Sequence, residues 1–152
     1  MKRLALPLLL LLFGCHATGP RPVLEEFRDF PGERWDRDDP VSFLLDASSA
    51  GPLAVTLFLR HTVDLDHANL SCLVSLSRDG LWLAEERADF RLADDKGQWT
   101  GKGSIIKTVA RALETPFEVD APGKYRLDVR HWMRQKELKA ITSIGIQVHG
   151  KE

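Results

Sequence analysis

The sequence predicts an all-β protein, an antiparallel β-sandwich of jelly-roll type that folds as a single domain. Three observations lead to this prediction. Apolar and polar residues alternate with a period of two along several short stretches, which is typical of strands buried on one face. Turns containing glycine or proline separate these stretches, and a sustained helical period is almost absent. Many short strands joined by such turns favour a sandwich over a helical fold.

The chain starts with a secretory signal rather than with a folded element. Lys2 and Arg3 precede an apolar run over residues 4–13, which is shorter than the ~20 residues that a membrane-spanning helix needs. This run ends in Leu12-Phe13-Gly14-Cys15, which resembles the lipobox of bacterial lipoproteins. The resemblance implies cleavage before Cys15 and attachment of diacylglycerol and an acyl chain such as palmitate. The alternative is an ordinary cleaved signal in which Cys15 has no role.

These features divide the chain into a signal peptide over residues 1–14, a lipidated tether over residues 15–22 and a β-sandwich domain over residues 23–152. The signal holds two of the 21 basic residues and none of the 22 acidic ones, which leaves the mature chain mildly acidic. This balance gives no electrostatic reason to expect nucleic acid or anionic lipid as a partner. With Cys15 lipidated, Cys72 has no disulfide partner, and its apolar alternation predicts a buried core residue.

Residues 23–30 form the first predicted element, and a loop that holds Trp35 leads into the first clear strand. Alternation then predicts strands around residues 41–46, 53–60, 70–77, 124–131 and 144–149. Asp79-Gly80 predicts a tight hairpin turn before a return strand at Leu81. Residues 115–125 read as an edge strand, a Pro-Gly turn and a central strand, as in a jelly roll.

One segment departs from this pattern. Ile105, Val109 and Leu113 are spaced four apart, as on a helix face. Ile105-Ile106 would equally suit the start of a strand. We expect a connecting segment with helical character.

The sequence contains no catalytic signature, and we expect neither an enzyme nor a bound cofactor or metal. It lacks a glycine-rich phosphate loop, a Cys or His pair at metal-ligand spacing and a G-x-S-x-G motif. His61 and His67 are predicted to share a loop with Asp64 and Asp66, which could hold a cation; a solvated polar loop is the favoured alternative. His131 falls on the apolar face of its strand and is predicted to be a core or edge histidine.

Candidate contacts to a partner protein or a glycan are Trp35, Trp99, Trp132 and Asp94. Trp99 and Asp94 belong to residues 94–103, which combine two acids, three glycines and a tryptophan. Such a tryptophan could stack on a sugar or anchor a partner, and the acids could bind calcium. Alternatively, Trp99 closes the end of the sandwich and an aspartate caps backbone N–H groups. The alternative for Trp35 is that it covers the mouth of the fold. Trp132 is the best candidate for an exposed aromatic, and its alternative is packing under Arg134.

Taken together, these stretches resemble the gliding-motility lipoprotein family GldH of the Bacteroidota. The similarity covers nearly the whole mature chain, and residues 94–103 are its most specific part. The loop over residues 61–68 departs from the family pattern, because Leu65-Asp66 stands where an aromatic-proline pair is expected. The matching segments are the lipobox ending at Cys15, Trp35 with residues 38–43, residues 57–60, 69–70, 74–76, 94–103, 123–125, 131 with 133–134, and 141–146.

The resemblance implies a lipoprotein anchored to the membrane through Cys15. It also implies a non-enzymatic, protein-binding accessory role in gliding motility and the associated secretion machinery, with envelope proteins as partners. The tether lacks the acidic residues that often mark surface export in this phylum, so we expect the outer membrane with the domain facing the periplasm. The alternative function is a lipid-anchored carbohydrate-binding module, which requires exposed tryptophans on one face.

Overall fold

The structure, a computed structural model, describes residues 21–150. The predicted signal peptide, Cys15 and most of the tether lie outside these residues. The described part contains eleven strands and a single 3-10 turn, Pro31–Glu33. The strands are β1 (Leu24–Asp29), β2 (Arg34–Asp36), β3 (Val41–Ala47), β4 (Gly51–Thr62), β5 (Asn69–Arg78), β6 (Leu81–Arg91), β7 (Ile106–Ala112), β8 (Phe117–Val119), β9 (Gly123–His131), β10 (Glu137–Lys139) and β11 (Ile141–Gly150).

Two antiparallel sheets form the sandwich. The first sheet has the order β1-β11-β4-β7, and β8 pairs with the start of β4 beside β7. The second sheet has the order β3-β9-β5-β6, while β2 and β10 form a separate two-stranded ribbon. Along the chain, the eight long strands are distributed between the sheets as two Greek keys, which is the jelly-roll arrangement. The predicted antiparallel β-sandwich is confirmed.

Alternating side chains of both sheets fill the core. In β5, every second residue from Leu70 to Leu76 is buried, and Cys72 is the buried free thiol of this set. Burial raises the pKa of the Cys72 thiol, because the thiolate would lose its hydration. The hairpin turn at Asp79-Gly80 also forms as predicted, with positive φ at both residues, the geometry that suits the twist of a two-residue hairpin.

Two sequence-based expectations are wrong. The segment around Val109 is strand β7 and has no helical character, because it pairs residue by residue with β4 from Thr56 to Thr62. His61 does not lie in a solvated loop; β4 continues through it, and it is fully buried between its partners Lys107 and Ile141. In both cases pairing between distant strands overrides the local pattern.

The two ends of the sandwich differ in what they carry. We call one the tether end, because the described chain enters there at Leu24 beside Val148. The β3–β4, β5–β6 and β8–β9 turns lie at this end, since Ala47 pairs with Gly123 and Ser77 with Arg126. We call the opposite end, with the 63–68 and 92–105 connections, the far end. Within residues 21–150 no helix has the length and apolar character to cross a membrane.

Candidate functional site

Trp35 belongs to the core and is not available to a partner. It is only 1% exposed, since the pairing of β2 with β10 turns it inward. Its ring stacks on Phe30 with centroids 5.1 Å apart and meets His131 edge-on at 5.3 Å. The expected partner contact at Trp35 is therefore corrected to a packing role, which agrees with the alternative that it covers the mouth of the fold.

His131 is fully buried beside Trp35, as predicted for a core histidine. Its Nε2 lies 3.2 Å from the Lys136 carbonyl, and its Nδ1 faces the Met133 N–H at 3.4 Å. The neutral ring that donates through Nε2 and accepts at Nδ1 satisfies both contacts. Burial lowers the pKa of His131, partly offset by hydrogen bonds to the backbone.

Trp99 closes the far end of the sandwich. Its indole is half-buried and meets the His61 ring edge-on, with centroids 4.8 Å apart. A bridge between Ala93 and Trp99 and a 2.9 Å bond from the Thr100 N–H to the Leu92 carbonyl hold the segment in place. Burial under this lid lowers the pKa of His61, whose ring Nδ1 contacts the Thr62 carbonyl.

Asp94 caps the turn that precedes Trp99. Its Oδ1 accepts hydrogen bonds from the N–H groups of Lys96 and Gln98, both at 2.9 Å. This is the backbone-capping role open to an aspartate in a loop. No group of three His, Cys, Asp or Glu side chains suited to a metal ion occurs among residues 21–150.

Trp132 is the member of the predicted set that faces solvent, with 52% of its surface exposed. It lies at the far end of the second sheet, where its backbone N–H donates to the Ser71 carbonyl at 2.6 Å. The Arg130 guanidinium covers its ring at 5.4 Å. A shallow depression of about 260 Å³ adjoins it, lined by Arg37, Met133 and Arg134.

The outer face of the second sheet is a polar network. Ser75 donates to Glu85 at 2.9 Å, and the Arg87 guanidinium donates to Asp89 at 2.8 Å. A hydrogen bond from Ser71, together with Arg87, keeps the pKa of Asp89 below its ordinary value. The pairs of Ser71 with Asp89 and of Ser75 with Glu85 join β5 to β6, while Arg87 and Asp89 pair along β6. They order the face without burying it.

The exposed edge of β6 was missed by reasoning from the sequence. β6 is the last strand of the second sheet, with β5 as its strand partner. Its alternation fails at Leu81-Trp82-Leu83, where three consecutive apolar residues are exposed, Trp82 to 65%. This run was the signal available in the sequence. A strand that is apolar on both faces leaves apolar side chains exposed when it lies at the edge of a sheet.

Within residues 21–150, several backbone groups of this edge have no hydrogen-bond partner. The Ser71 carbonyl accepts from the backbone N–H of Trp132, so the backbone groups of Ser71 point away from β6. Ser71 and its cross-strand partner Asp89 therefore form a non-hydrogen-bonded pair. Alternation along the ladder then directs the N–H and C=O groups of Glu85, Arg87 and Asp89 away from β5. The side chain of Thr100 takes up the next such carbonyl, that of Arg91, at 2.8 Å.

A groove of about 630 Å³ runs beside this edge; we call it the edge groove. One wall is residues 83–87 of β6, and the other is residues 114–118, which lead into β8. The Glu86 carboxylate holds the second wall by accepting from the N–H groups of Glu114 at 2.8 Å and Thr115 at 3.0 Å. Four glutamates and one arginine line the groove, so its walls are acidic.

Comparison with solved structures finds distant likenesses, three of which follow. The TNF protein Eiger of S. frugiperda has a TM-score of 0.45 and 11% identity, covering 87% of this chain and 96% of its own. Latent PorU from Porphyromonas gingivalis has a TM-score of 0.34 and 12% identity, over 91% of this chain and 14% of its own. A CocE/NonD family hydrolase from Staphylococcus aureus has a TM-score of 0.44 and 13% identity, over 87% and 32%. These values support no inference about function.

Sequence comparison gives the assignment. No curated protein has a significantly similar sequence. The model of the GldH lipoprotein family, however, matches residues 22–148, which is nearly all of the described sandwich including β6 and the edge groove. The chain therefore belongs to the GldH lipoprotein family, whose members are membrane-anchored lipoproteins of the cell envelope.

Proposed function

We propose that this protein is a non-enzymatic accessory component of the gliding-motility and associated secretion machinery, and that it acts by binding another envelope protein. Family membership supports the envelope setting. The observation that carries the binding role is the β6 edge beside the edge groove, which no other strand of residues 21–150 covers. An open sheet edge next to a groove is the arrangement used when an extended partner segment adds as a further strand.

Three residues supply the main-chain part of such an interface. Glu85, Arg87 and Asp89 direct N–H and C=O groups away from β5, so a partner strand could form a short ladder there. Main-chain bonds of this kind give affinity, and alternate side chains entering pockets give specificity. The edge groove provides the space for the side chains that point toward residues 114–118.

The charge of the groove indicates the chemistry of the partner segment. Glu85, Glu86, Glu114 and Glu118 outnumber Arg87 along its walls, so a segment carrying Lys or Arg fits best. The same charges disfavour pairing of β6 with a second copy of this chain, a common way in which natural edge strands avoid self-association.

The tether supports a proposal about the finer location. We place the protein on the outer membrane with its domain in the periplasm, attached through lipid on Cys15. The absence of acidic residues directly after Cys15 supports the periplasmic side. There the domain would meet periplasmic parts of the motility and secretion proteins.

Affinity capture from crosslinked cells tests the proposal. Tagged wild-type protein is compared with Cys15→Ala, and the captured proteins are identified by mass spectrometry. Motility or secretion envelope proteins that appear with the wild type and depend on Cys15 support the proposal. Normal surface spreading and secretion after deletion of the gene, or capture identical with both forms, contradict it.

A matched pair at one residue tests the edge. Arg87→Pro removes an N–H that points away from β5, so it blocks strand addition while sparing the β5–β6 ladder. Arg87→Ala removes the same side chain but keeps the N–H. We expect capture to be lost with proline and kept with alanine, with circular dichroism confirming that both variants are folded. Equal capture by both variants would exclude strand addition at this edge.

A lipid-anchored carbohydrate-binding module is the second candidate, favoured by the exposure of Trp132 on a polar sheet face. Exposed tryptophans stack readily on sugar rings. Titrating the mature protein with a panel of oligosaccharides, with tryptophan fluorescence as the readout, tests this function. A response that disappears in Trp132→Ala supports it, and no response across the panel removes it.

A further inference from the structure

The most exposed apolar side chains of the second sheet lie at the tether end. Leu81 is 70% exposed, and Trp82 and Leu83 continue the apolar run along β6. Leu44 of β3 is also exposed. It lies in line with Trp82 across the sheet, because Leu44 pairs with Arg126, Arg126 with Ser77, and Ser77 with Trp82. We call Leu81-Trp82-Leu83 the apolar tip.

Strand register fixes the position of the apolar tip relative to the tether. β1 enters the first sheet with Leu24 beside Val148, and Val148 pairs with Val55 near the start of β4. β4 begins directly after the turn that ends β3, and the end of β3 pairs with Gly123. The β5–β6 hairpin lies at this same end because Ser77 pairs with Arg126.

The tether is too short to hold this end far from a membrane. Cys15 is nine residues before Leu24, and nine residues span at most roughly 30 Å when fully extended. A lipid on Cys15 therefore keeps the tether end, and the apolar tip with it, close to the bilayer surface.

The chemistry of the apolar tip suits the interface between membrane and water. Tryptophan is the side chain most typical of this layer, and leucines beside it can enter the acyl region. The neighbouring basic groups are largely neutralised within the protein. Arg78 lies 3.4 Å from Asp120 and 3.7 Å from Asp79, and Arg126 lies 3.0 Å from Asp128. Apolar contact rather than charge would therefore drive the docking.

We propose that the apolar tip is a second, non-covalent membrane contact that inserts into the lipid interface beside the anchor. This inference rests on the proposed lipidation of Cys15. With two contacts, the sandwich stands on the membrane in one orientation. Its far end points away from the bilayer, and the edge groove opens at the side, where an envelope partner can reach it.

Quenching by brominated lipid tests this contact. The mature lipidated protein is reconstituted in vesicles of phosphatidylethanolamine and phosphatidylglycerol whose acyl chains carry bromine, which quenches tryptophan only at close range. We expect part of the emission to be quenched, loss of that quenched part in Trp82→Ala, and its retention in Trp132→Ala. Trp132 is the matched control because it is similarly exposed but lies at the far end.

Cosedimentation separates this inference from the anchor on which it depends. If the protein fails to sediment with the vesicles, or sediments no better than Cys15→Ala, the anchor itself is wrong and the inference is overturned with it. If it sediments but the quenched emission is unchanged by Trp82→Ala, the anchor stands and the membrane contact is overturned. If Trp82→Ala instead loses a captured protein without any quenching, the tip is a protein-docking surface and the inference is again overturned.

Discussion

Replacing Trp35 with alanine tests whether this side chain belongs to the core or contacts a partner. The side chain is 1% exposed and packs between Phe30 and His131. Truncation of a fully buried tryptophan typically costs about 3–5 kcal/mol, because apolar burial is lost and a cavity remains. Its Nε1 has no hydrogen-bond partner in the described part of the chain, so the cost comes from packing. A domain of ordinary stability, about 5–15 kcal/mol, would lose a large part of it.

Urea denaturation followed by circular dichroism measures this loss. If the free energy of unfolding falls by about 2 kcal/mol per molar urea, the unfolding midpoint of Trp35→Ala should be about 2 M lower than that of the wild type. Trp132→Ala is the control; its ring is half-exposed under Arg130, so we expect a change within about 1 kcal/mol. If Trp35→Ala unfolds at the same urea concentration as Trp132→Ala, the burial argument is refuted.

The remaining predictions concern pH and close packing. His61 and His131 are buried with lowered pKa values, so below the ordinary histidine pKa of about 6.5 the unfolded chain binds protons that the folded one does not. The free energy of unfolding should therefore be highest above that pH and fall as the pH decreases toward the folded pKa values. Gly145→Ala should destabilise the fold by about 1–3 kcal/mol, because the added Cβ would overlap the Phe27 ring.

Matched variants check both predictions. His61→Leu combined with His131→Leu should flatten the dependence of the unfolding free energy on pH, and an unchanged slope would show that other groups cause it. Gly150→Ala is the control for Gly145→Ala, since no atom of the described residues lies within 4 Å of the Cβ it would add. Equal unfolding midpoints for the two alanine variants would contradict the close approach of Phe27.

Local alternation was sufficient to predict most strands of the sandwich, because one buried face imposes a period of two. It failed at β7, where the four-residue spacing of Val109 and Leu113 resembles a helix face but the chain pairs with β4. It also failed to predict that His61 is buried, because the partner strand and Trp99, which cover His61, come from distant parts of the sequence. Pairing energy from neighbouring strands decides such segments.

The candidate site was less predictable than the fold. The tryptophans were visible in the sequence, but whether each is inside or outside depends on nonlocal contacts. The β2–β10 ribbon buries Trp35, whereas Trp132 follows the last inward residue of β9 and stays exposed. The edge groove joins residues 83–87 to residues 114–118 through Glu86, and neither segment carries a motif.

Photocrosslinking in cells shows directly whether a protein partner occupies the edge groove. A photoreactive amino acid is placed at Glu118, which lines the groove, or at Ser42 on β3, at the opposite edge of the second sheet. We predict a crosslinked envelope protein from Glu118 only, and its loss when Arg87→Pro is added. No crosslink from Glu118, or an equal one from Ser42, would contradict the claim.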